Sequence, residues 1–463
     1  MTSATALIPA DLAASIVRQT GAAIVDIVPR GGGGASRQGA ELTLLGRDGA
    51  TSRCYLAYDS RAGDPQRVPF FNREVAILDA LGSSFAECGV KAPRLVASEA
   101  AHLALLTELT PGRDRFADAA DPIALAADFM AQLAALHRIP PGSHVLASLG
   151  DPAVAISDVI EARIAELQAA NMATLPDPLL QLALQWLAGN VPVDRGPPVI
   201  VHGDAGPGNF LHQDNRVTAL LDWEFVHFGD PMEDLAQIWV RSMIQPFVPM
   251  RQVFAAYEAA GGVAVDLDRV RFHRLYFQLG FVVGGHANLF GDSNVKTAMV
   301  GASMMYNALH MRAIALSLAE LSGQALHPAV LPEANASLAD RGYELVLDDL
   351  RDSVVPRLAD QHAAAKAKSI ARMVKYWRAR DRYAAAFEAA EIAEIADALA
   401  IARPASVLEA RCALAGAISQ RRLDFDRALQ LCLNRVARDT ALMADAMGGL
   451  ATAYFPPLDE NAA

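Results

Sequence analysis

Cysteine is scarce in this chain, with only Cys54, Cys88, Cys412 and Cys432. They lie far apart and no two stand as C-x-x-C, which excludes a thiolate metal site or redox dithiol of that kind and leaves them as small apolar core residues. Basic charge is in deficit: 40 Lys and Arg face 52 Asp and Glu, a formal charge of -12. Such a surface repels polyphosphate backbones, so nucleic acid is not an expected partner. Long apolar runs are missing too. The longest uncharged stretch, Leu275 to Gly291, is interrupted by Gln278, His286 and Asn288 and falls short of the ~20 residues of a bilayer span. No membrane partner is expected. Nor does a basic segment followed by an apolar stretch open the chain, so a secretory signal is not indicated and the cytoplasm is the expected compartment. Lysine does not occur before Lys91.

What is present is a chain of 463 residues, 52% hydrophobic and 20% charged. That length exceeds one ordinary core and predicts two or three domains. From Ala23 to about Leu109, short apolar runs alternate with turn residues: Ile24 to Val28, Glu41 to Leu45, Cys54 to Tyr58 and Leu103 to Thr107. They predict a small antiparallel sheet, interrupted by one helix over Phe70 to Leu81. The glycine run Gly31 to Gly34 joins two of the strands. After Thr110-Pro111-Gly112, helical spacing takes over in Ile123 to His137, Ile156 to Leu167 and Pro178 to Leu187. A short β unit follows, with strands at Val199 to Val201, Asn209 to His212 and Val217 to Leu221, and helices resume from Met232 to about Leu321. A proline-punctuated passage, His327 to Pro332, places a boundary near residue 330. Beyond it, Gly342 to Leu358, Ala363 to Phe387 and Val407 to Ala415 read as helices.

The chemistry concentrates in His202-Gly203-Asp204-Ala205-Gly206-Pro207-Gly208-Asn209 and in Leu221-Asp222-Trp223-Glu224. An aspartate leaving one strand, an asparagine five residues later and an aspartate at the end of the next strand put three oxygen-bearing side chains on one rim. Phosphoryl transfer needs an acceptor oxygen held in line with the γ-phosphate while hard cations neutralise the charge between the β and γ oxygens. Asp204 is placed to orient a hydroxyl and take its proton. Asn209 and Asp222 offer oxygens of the kind Mg²⁺ prefers. His202 is expected to brace the loop.

These residues resemble the aminoglycoside phosphotransferase and choline kinase superfamily, whose catalytic loop reads H-G-D-x4-N and whose metal aspartate opens a D-W-E-like triplet. Phe228-Gly229-Asp230-Pro231-Met232-Glu233-Asp234-Leu235-Ala236 extends the likeness, as does Leu133-Ala134-Ala135-Leu136-His137. The resemblance implies an α+β, bilobal protein-kinase-like fold over residues 1–330: a small antiparallel sheet lobe at about 20–109, a mostly helical lobe at about 110–330, and an all-helical accessory domain at 331–463. It implies ATP or GTP with Mg²⁺ as cofactors and a small-molecule hydroxyl as acceptor. Gly31, Gly32, Gly33 and Gly34, with Ser36, then resemble the loop that covers the nucleotide phosphates. Glu74 matches the helix glutamate that pairs with a strand lysine, and the nucleotide would lie near Thr107-Glu108-Leu109. The tail resembles a helical domain that accompanies some of these phosphotransferases, on Gly342-Tyr343 and Val354-Val355-Pro356.

One departure stands out. The strand that carries the family's phosphate-binding lysine reads Arg53-Cys54-Tyr55-Leu56-Ala57-Tyr58-Asp59, with Ala57 or Tyr58 at the position expected to be basic. Arg53 and Arg61 are the candidate substitutes. The expected function is an ATP-dependent small-molecule kinase. The alternative is a catalytically weak or inactive kinase-like scaffold acting through its C-terminal helices, which are also the candidate surface for homo-oligomers. Aminoglycosides as acceptors would require an acidic pocket, and acidic residues are not concentrated in the helical lobe. Asp230 and Asp234 are expected to cap and brace a helix, Trp223 to anchor the core, His137 and His286 to be core histidines, and Lys366 to Arg382 to be a solvated helix face.

Overall fold

The computed structural model describes residues 7–30, 37–59, 65–142, 144–173, 175–290, 299–335, 337–456 and 458. In chain order the elements are α1 (Ala10–Thr20), β1 (Ala23–Arg30), β2 (Arg37–Leu45), β3 (Thr51–Asp59), α2 (Val68–Gly82), β4 (Leu95–Glu99), β5 (Ala104–Glu108), α3 (Pro122–His137), α4 (Ile156–Ala173), α5 (Pro178–Ala188), β6 (Val199–Val201), β7 (Phe210–Gln213), β8 (Arg216–Leu220), β9 (His227–Gly229), α6 (Pro231–Ser242), α7 (Met250–Ala259), α8 (Leu267–Phe290), α9 (Val300–Ser322), α10 (Asp340–Asp348), α11 (Gln361–Leu399), α12 (Val407–Ser419) and α13 (Phe425–Met447). Two compact units share them. The first comprises residues 1–156, 194–270 and 456–463, and the second residues 157–193 and 271–455.

The first unit is α+β. Its five-stranded antiparallel sheet has the order β1-β2-β3-β5-β4. Side chains alternate across each strand, so neighbouring residues of β5 serve opposite faces. Leu106 joins a core with Leu42, Leu56 and the α1 residues Leu12 and Ile16, while Leu105 joins Phe71 of α2. The sheet is therefore covered by α1 on one face and α2 on the other. The strands at 24–28, 41–45, 54–58 and 103–107 form as expected, each longer or shifted by a residue or more. Neither α1, which buries Leu12, Ala13 and Ile16, nor β4, which buries only Ala97 at its centre, is anticipated by the sequence.

The rest of this unit holds α3, whose N-terminus is closed by Asp121 accepting the Ala124 N–H at 3.0 Å, and two small β ladders. β6 pairs with β9, and β7 pairs with β8 through the turn at Asp214-Asn215, both in the left-handed region. β6 has the expected span, while β7 and β8 have the expected lengths but are each shifted by one residue. Asn209 and Asp222 consequently fall just outside β7 and β8, in loops free to aim their side chains.

The second unit is all helical: α4, α5, α8 from Arg271 onward, and α9 to α13. Each of α12 and α13 begins on a side-chain cap, Ser406 to the Glu409 N–H and Asp424 to the Arg427 N–H. The segment expected as one helix from 342 to 358 is instead α10, followed by a π turn and a 3₁₀ turn at Val355–Arg357. Pro356 lacks the N–H that a continuing helix requires. Basic residues on α11 face acids, Arg378 with Asp445, Arg380 with Glu388 and Arg382 with the buried Asp340. No helix among the described residues is long and apolar enough to cross a membrane.

Candidate active site

β6 is a buried apolar strand, and the chain leaves it at His202-Gly203-Asp204. What fixes this exit is Asp234, fully buried on α6. Its carboxylate accepts the backbone N–H groups of His202 at 2.9 Å and Gly203 at 3.0 Å, and faces His137 Nε2 of α3 at 3.0 Å. His137 is held in turn by the Tyr257 hydroxyl at 2.7 Å. These contacts keep the Asp234 carboxyl below its usual range despite burial. Asp230 caps the same helix in a capping box with Glu233. Gly203 turns the chain with φ +84°, and a Cβ there would lie 2.2 Å from the Phe225 carbonyl oxygen, so only glycine fits.

Asp204 therefore emerges on a loop tied at its root. One carboxylate oxygen accepts Arg241 Nη1 at 2.7 Å and the other accepts Asn209 Nδ2 at 2.6 Å. Arg241 also reaches Asn209 Oδ1 and the Pro207 carbonyl, both at 3.0 Å. Burial pushes the Asp204 carboxyl above the usual carboxylate range, Arg241 opposes the shift, and the Asp222 charge adds to it. Arg241 is absent from the sequence reading. Its signal is the polar stripe Asp234, Gln237 and Arg241, spaced by three and four on an otherwise apolar helix. Gln237 accepts the Ala205 N–H at 3.0 Å, so the whole stripe serves the loop. His202 is buried against Trp223 with ring centroids 4.5 Å apart, and Trp223 donates to the Leu220 carbonyl. His202 braces the loop and Trp223 anchors the core, as expected.

Asp222 follows β8 in the left-handed region, φ 67°. Among the described residues its carboxylate has no hydrogen-bond partner, although its charge acts on Asp204, Glu74, Glu224 and Arg37. Glu74 of α2 is buried, and its partner is Arg37 at the first position of β2, 2.5 Å away. Arg37 also lies 3.7 Å from Glu224, which Arg67 joins at 3.1 Å while holding Asp59 at 2.9 Å. Burial raises the Glu74 and Glu224 carboxyls. The cation that pairs with Glu74 thus comes from β2, not β3. Arg53 does not take that place: it pairs with Glu41 and is largely exposed. Arg61 lies outside the described residues.

The sequence-derived site is only partly assembled from described residues. Asp204, Asn209, Asp222 and Glu74 come together within one charged cluster. Gly31, Gly32, Gly33, Gly34 and Ser36 lie outside the described residues. Glu108 ends β5 with its side chain on Arg94, and its N–H donates to the Arg94 carbonyl; the Leu109 N–H donates to the Arg53 carbonyl. Among the described residues no group of three or more His, Cys, Asp or Glu side chains could hold a metal by itself. A Mg²⁺ ion completes its shell with phosphate and water oxygens and needs only one or two protein ligands. The donor set fits it: among the described residues Asp59, Glu74, Asp204 and Glu224 pair with Arg37, Arg67 and Arg241, and the Asp222 carboxylate has no ion-pair partner.

Fold and site together define a kinase-like phosphotransferase. The chain belongs to the phosphotransferase enzyme family, whose family model matches residues 37–273, just over half of its length. Among curated proteins, acyl-CoA dehydrogenase family member 11 of Gallus gallus is 38% identical over 61 residues, which cover 13% of this chain and 8% of that protein. The chain thus spans less than a tenth of the curated relatives it matches. Among solved structures, a macrolide 2'-phosphotransferase from Brachybacterium faecium is 20% identical, with a TM-score of 0.44 over 68% of this chain and 98% of that one. An aminoglycoside phosphotransferase solved with AMP-PNP and hygromycin B is 17% identical, with a TM-score of 0.43 over 60% and 91%.

Proposed function

We propose that this chain is a small-molecule kinase that transfers the γ-phosphate of ATP or GTP to a hydroxyl group. The observation that carries the reading is the placement of Asp204 and Asp222: one carboxylate fixed at the end of β6 by Arg241 and Asn209, the other without a hydrogen-bond partner among the described residues and close enough for its charge to act on Asp204, Glu74 and Glu224. Asp204 orients the acceptor hydroxyl and takes its proton, and burial, which raises its carboxyl, favours that role. Asn209 and Asp222 hold Mg²⁺, which when bound neutralises charge on the phosphate oxygens. Before Asn209 Oδ1 can serve a cation, Arg241 has to release it.

Arg37, fixed by Glu74 and Glu224, binds the phosphates in place of the family's lysine. Its guanidinium is permanently charged and suits phosphate geometry. In this reading Gly31 to Gly34 and Ser36 serve the phosphates, and Glu108-Leu109 flanks the base. The phosphotransferase part runs to residue 330, with 331–463 as the helical accessory part.

The test is thermal stability of the full chain with ATP or GTP and Mg²⁺, since a ligand that binds only the folded state raises the unfolding temperature. A Mg²⁺-dependent rise is expected, lost in Asp222→Ala. In a hydroxyl-acceptor screen, Asp204→Asn should lower kcat by roughly 10²–10⁴-fold. No shift with either nucleotide at millimolar concentration rejects the kinase in favour of an inactive scaffold.

A further inference from the structure

The helical unit contains a cavity of about 200 Å³ that the phosphotransferase reading does not use. Most of its wall lies beyond residue 273, outside the segment that the family model matches. Each helix contributes one face. Met304, Asn307, Ala308 and Met311 recur on α9 at the three-and-four spacing of a single helical stripe. His286 and Phe290 are one turn apart on α8, and α11, α12 and α13 close the remaining sides. Apolar side chains, including the adaptable thioethers of Met304 and Met311, dominate the wall. Phe290 and Leu408 stand 43% and 52% exposed at the rim.

The charged groups on this wall are occupied with one another. Arg435 holds Asp177 and Asp439, Arg411 takes Glu391 through two hydrogen bonds of 2.7 Å, and Arg380 pairs with Glu388. Asp177 in addition caps α5 by accepting the Leu179 and Leu180 N–H groups. Two polar atoms are left over. His286 Nδ1 and Asn307 Oδ1 are buried and have no hydrogen-bond partner among the described residues. His286 as a whole is only 7% exposed, so its free nitrogen is not satisfied by bulk water.

A buried polar atom left without a partner is destabilising, and each such atom in a native structure calls for a partner. His286 Nε2 faces the Asp177 carboxylate at 3.6 Å, which favours the tautomer with its proton on Nε2. Burial lowers the ring's pKa, which favours the neutral form, against the opposing Asp177 charge. Nδ1 is then an acceptor, as Asn307 Oδ1 is, and both ask for a donor. The arginines carry no such demand, which argues against an anion. A dry apolar cavity of about 150 Å³ admits benzene, so this one admits a molecule of roughly ten heavy atoms.

We propose that this cavity is a binding site for a small apolar molecule bearing a hydroxyl or N–H group, whose donor engages His286 Nδ1 and Asn307 Oδ1 while its body lies against Met304, Met311 and Phe290. The site does not rest on the kinase reading, since none of its residues belongs to the charged cluster around Asp204.

The probe is 4-propylphenol, compared with 4-propyltoluene, which matches it in shape and lacks the donor. Binding to the full chain is followed by ligand-observed saturation-transfer NMR. Saturable binding of the phenol is expected, at least about tenfold tighter than the toluene, as one buried hydrogen bond would give. Because this comparison uses the unaltered chain, it holds whether or not a variant folds. Ala308→Phe, which fills the cavity from α9, should abolish binding. His286→Leu should leave binding but bring the phenol and toluene within about threefold of each other. No saturable binding at millimolar phenol, as for a cavity holding water only, overturns the proposal. So does equal affinity for the two probes in the unaltered chain, or phenol binding that survives in a folded Ala308→Phe.

Discussion

Arg37 is buried beside Glu74 and Glu224, and its pKa is driven further up by those carboxylates, burial opposing. A cation so fixed has little orientational freedom left to lose when a phosphate arrives, which is what a preorganised binding group requires. Lysine in its place would be a point charge on a flexible stem, without the planar guanidinium whose Nη2 lies between Glu74 and Glu224. Arg37→Ala is expected to raise the nucleotide KM by at least about tenfold, the loss of one charged hydrogen bond, and Arg37→Lys to recover part of it. Steady-state kinetics with varied nucleotide decide this. An unchanged KM in Arg37→Ala would return the phosphate-binding role to another residue. This arginine is in plain view at position 37, yet nothing local marks it, because its partner lies on a different element.

At the scale of elements, α6 organises the site. Asp234, Gln237 and Arg241 form one face, and each holds a different part of the loop from His202 to Asn209. Asp234 is the most consequential because three donors converge on a carboxylate with no exposure at all. Asp234→Ala strands the His202 and Gly203 N–H groups and the His137–Tyr257 pair, with an expected cost of about 3–5 kcal/mol. Urea unfolding monitored through tryptophan fluorescence would register it as a lower midpoint with an unchanged slope. A loss below about 1 kcal/mol would mean that the loop root is held some other way. The role of Asp234 as a brace was readable from the Gly229-Asp230-Pro231 start of the helix. What it braces was not, since His137 and His202 approach it from distant segments.

For the whole molecule, two buried groups set opposite ends of its acid response. Burial among apolar neighbours lowers His310 to about 4, against about 6.5 in an unfolded chain. Between those values the unfolded state binds a proton that the folded state refuses. Stability from this group is therefore complete above about 6.5 and falls as pH drops toward 4, by roughly 2 kcal/mol at pH 5. Burial pushes the Asp177 carboxyl up, but the Arg435 guanidinium overcomes it and holds Asp177 down to about 2. Its contribution persists above about 3.9 and is lost only as pH falls toward 2. His310→Leu should flatten the decline in unfolding free energy from pH 7 to pH 5 while leaving the steeper loss below pH 4. An unchanged pH 7 to 5 profile in that variant would assign the decline to other groups.

The strands at 41–45 and 54–58, the helix opening at Asp230 and the spacing of Asp204, Asn209 and Asp222 are local properties, set by alternation, capping and loop length, and the sequence by itself determined them. The missing lysine was equally legible. Its replacement was not: Arg37 meets Glu74 only because β2 and β3 pair in a register that sets Arg37 opposite Asp59, with α2 packed on that sheet. Arg241, the two atoms at His286 and Asn307 that have no partner among the described residues, and the cavity they face belong to the same class. Each arises where side chains far apart in sequence are brought within a few ångströms, and hydrophobic periodicity carries no information about which polar atoms are then left without partners.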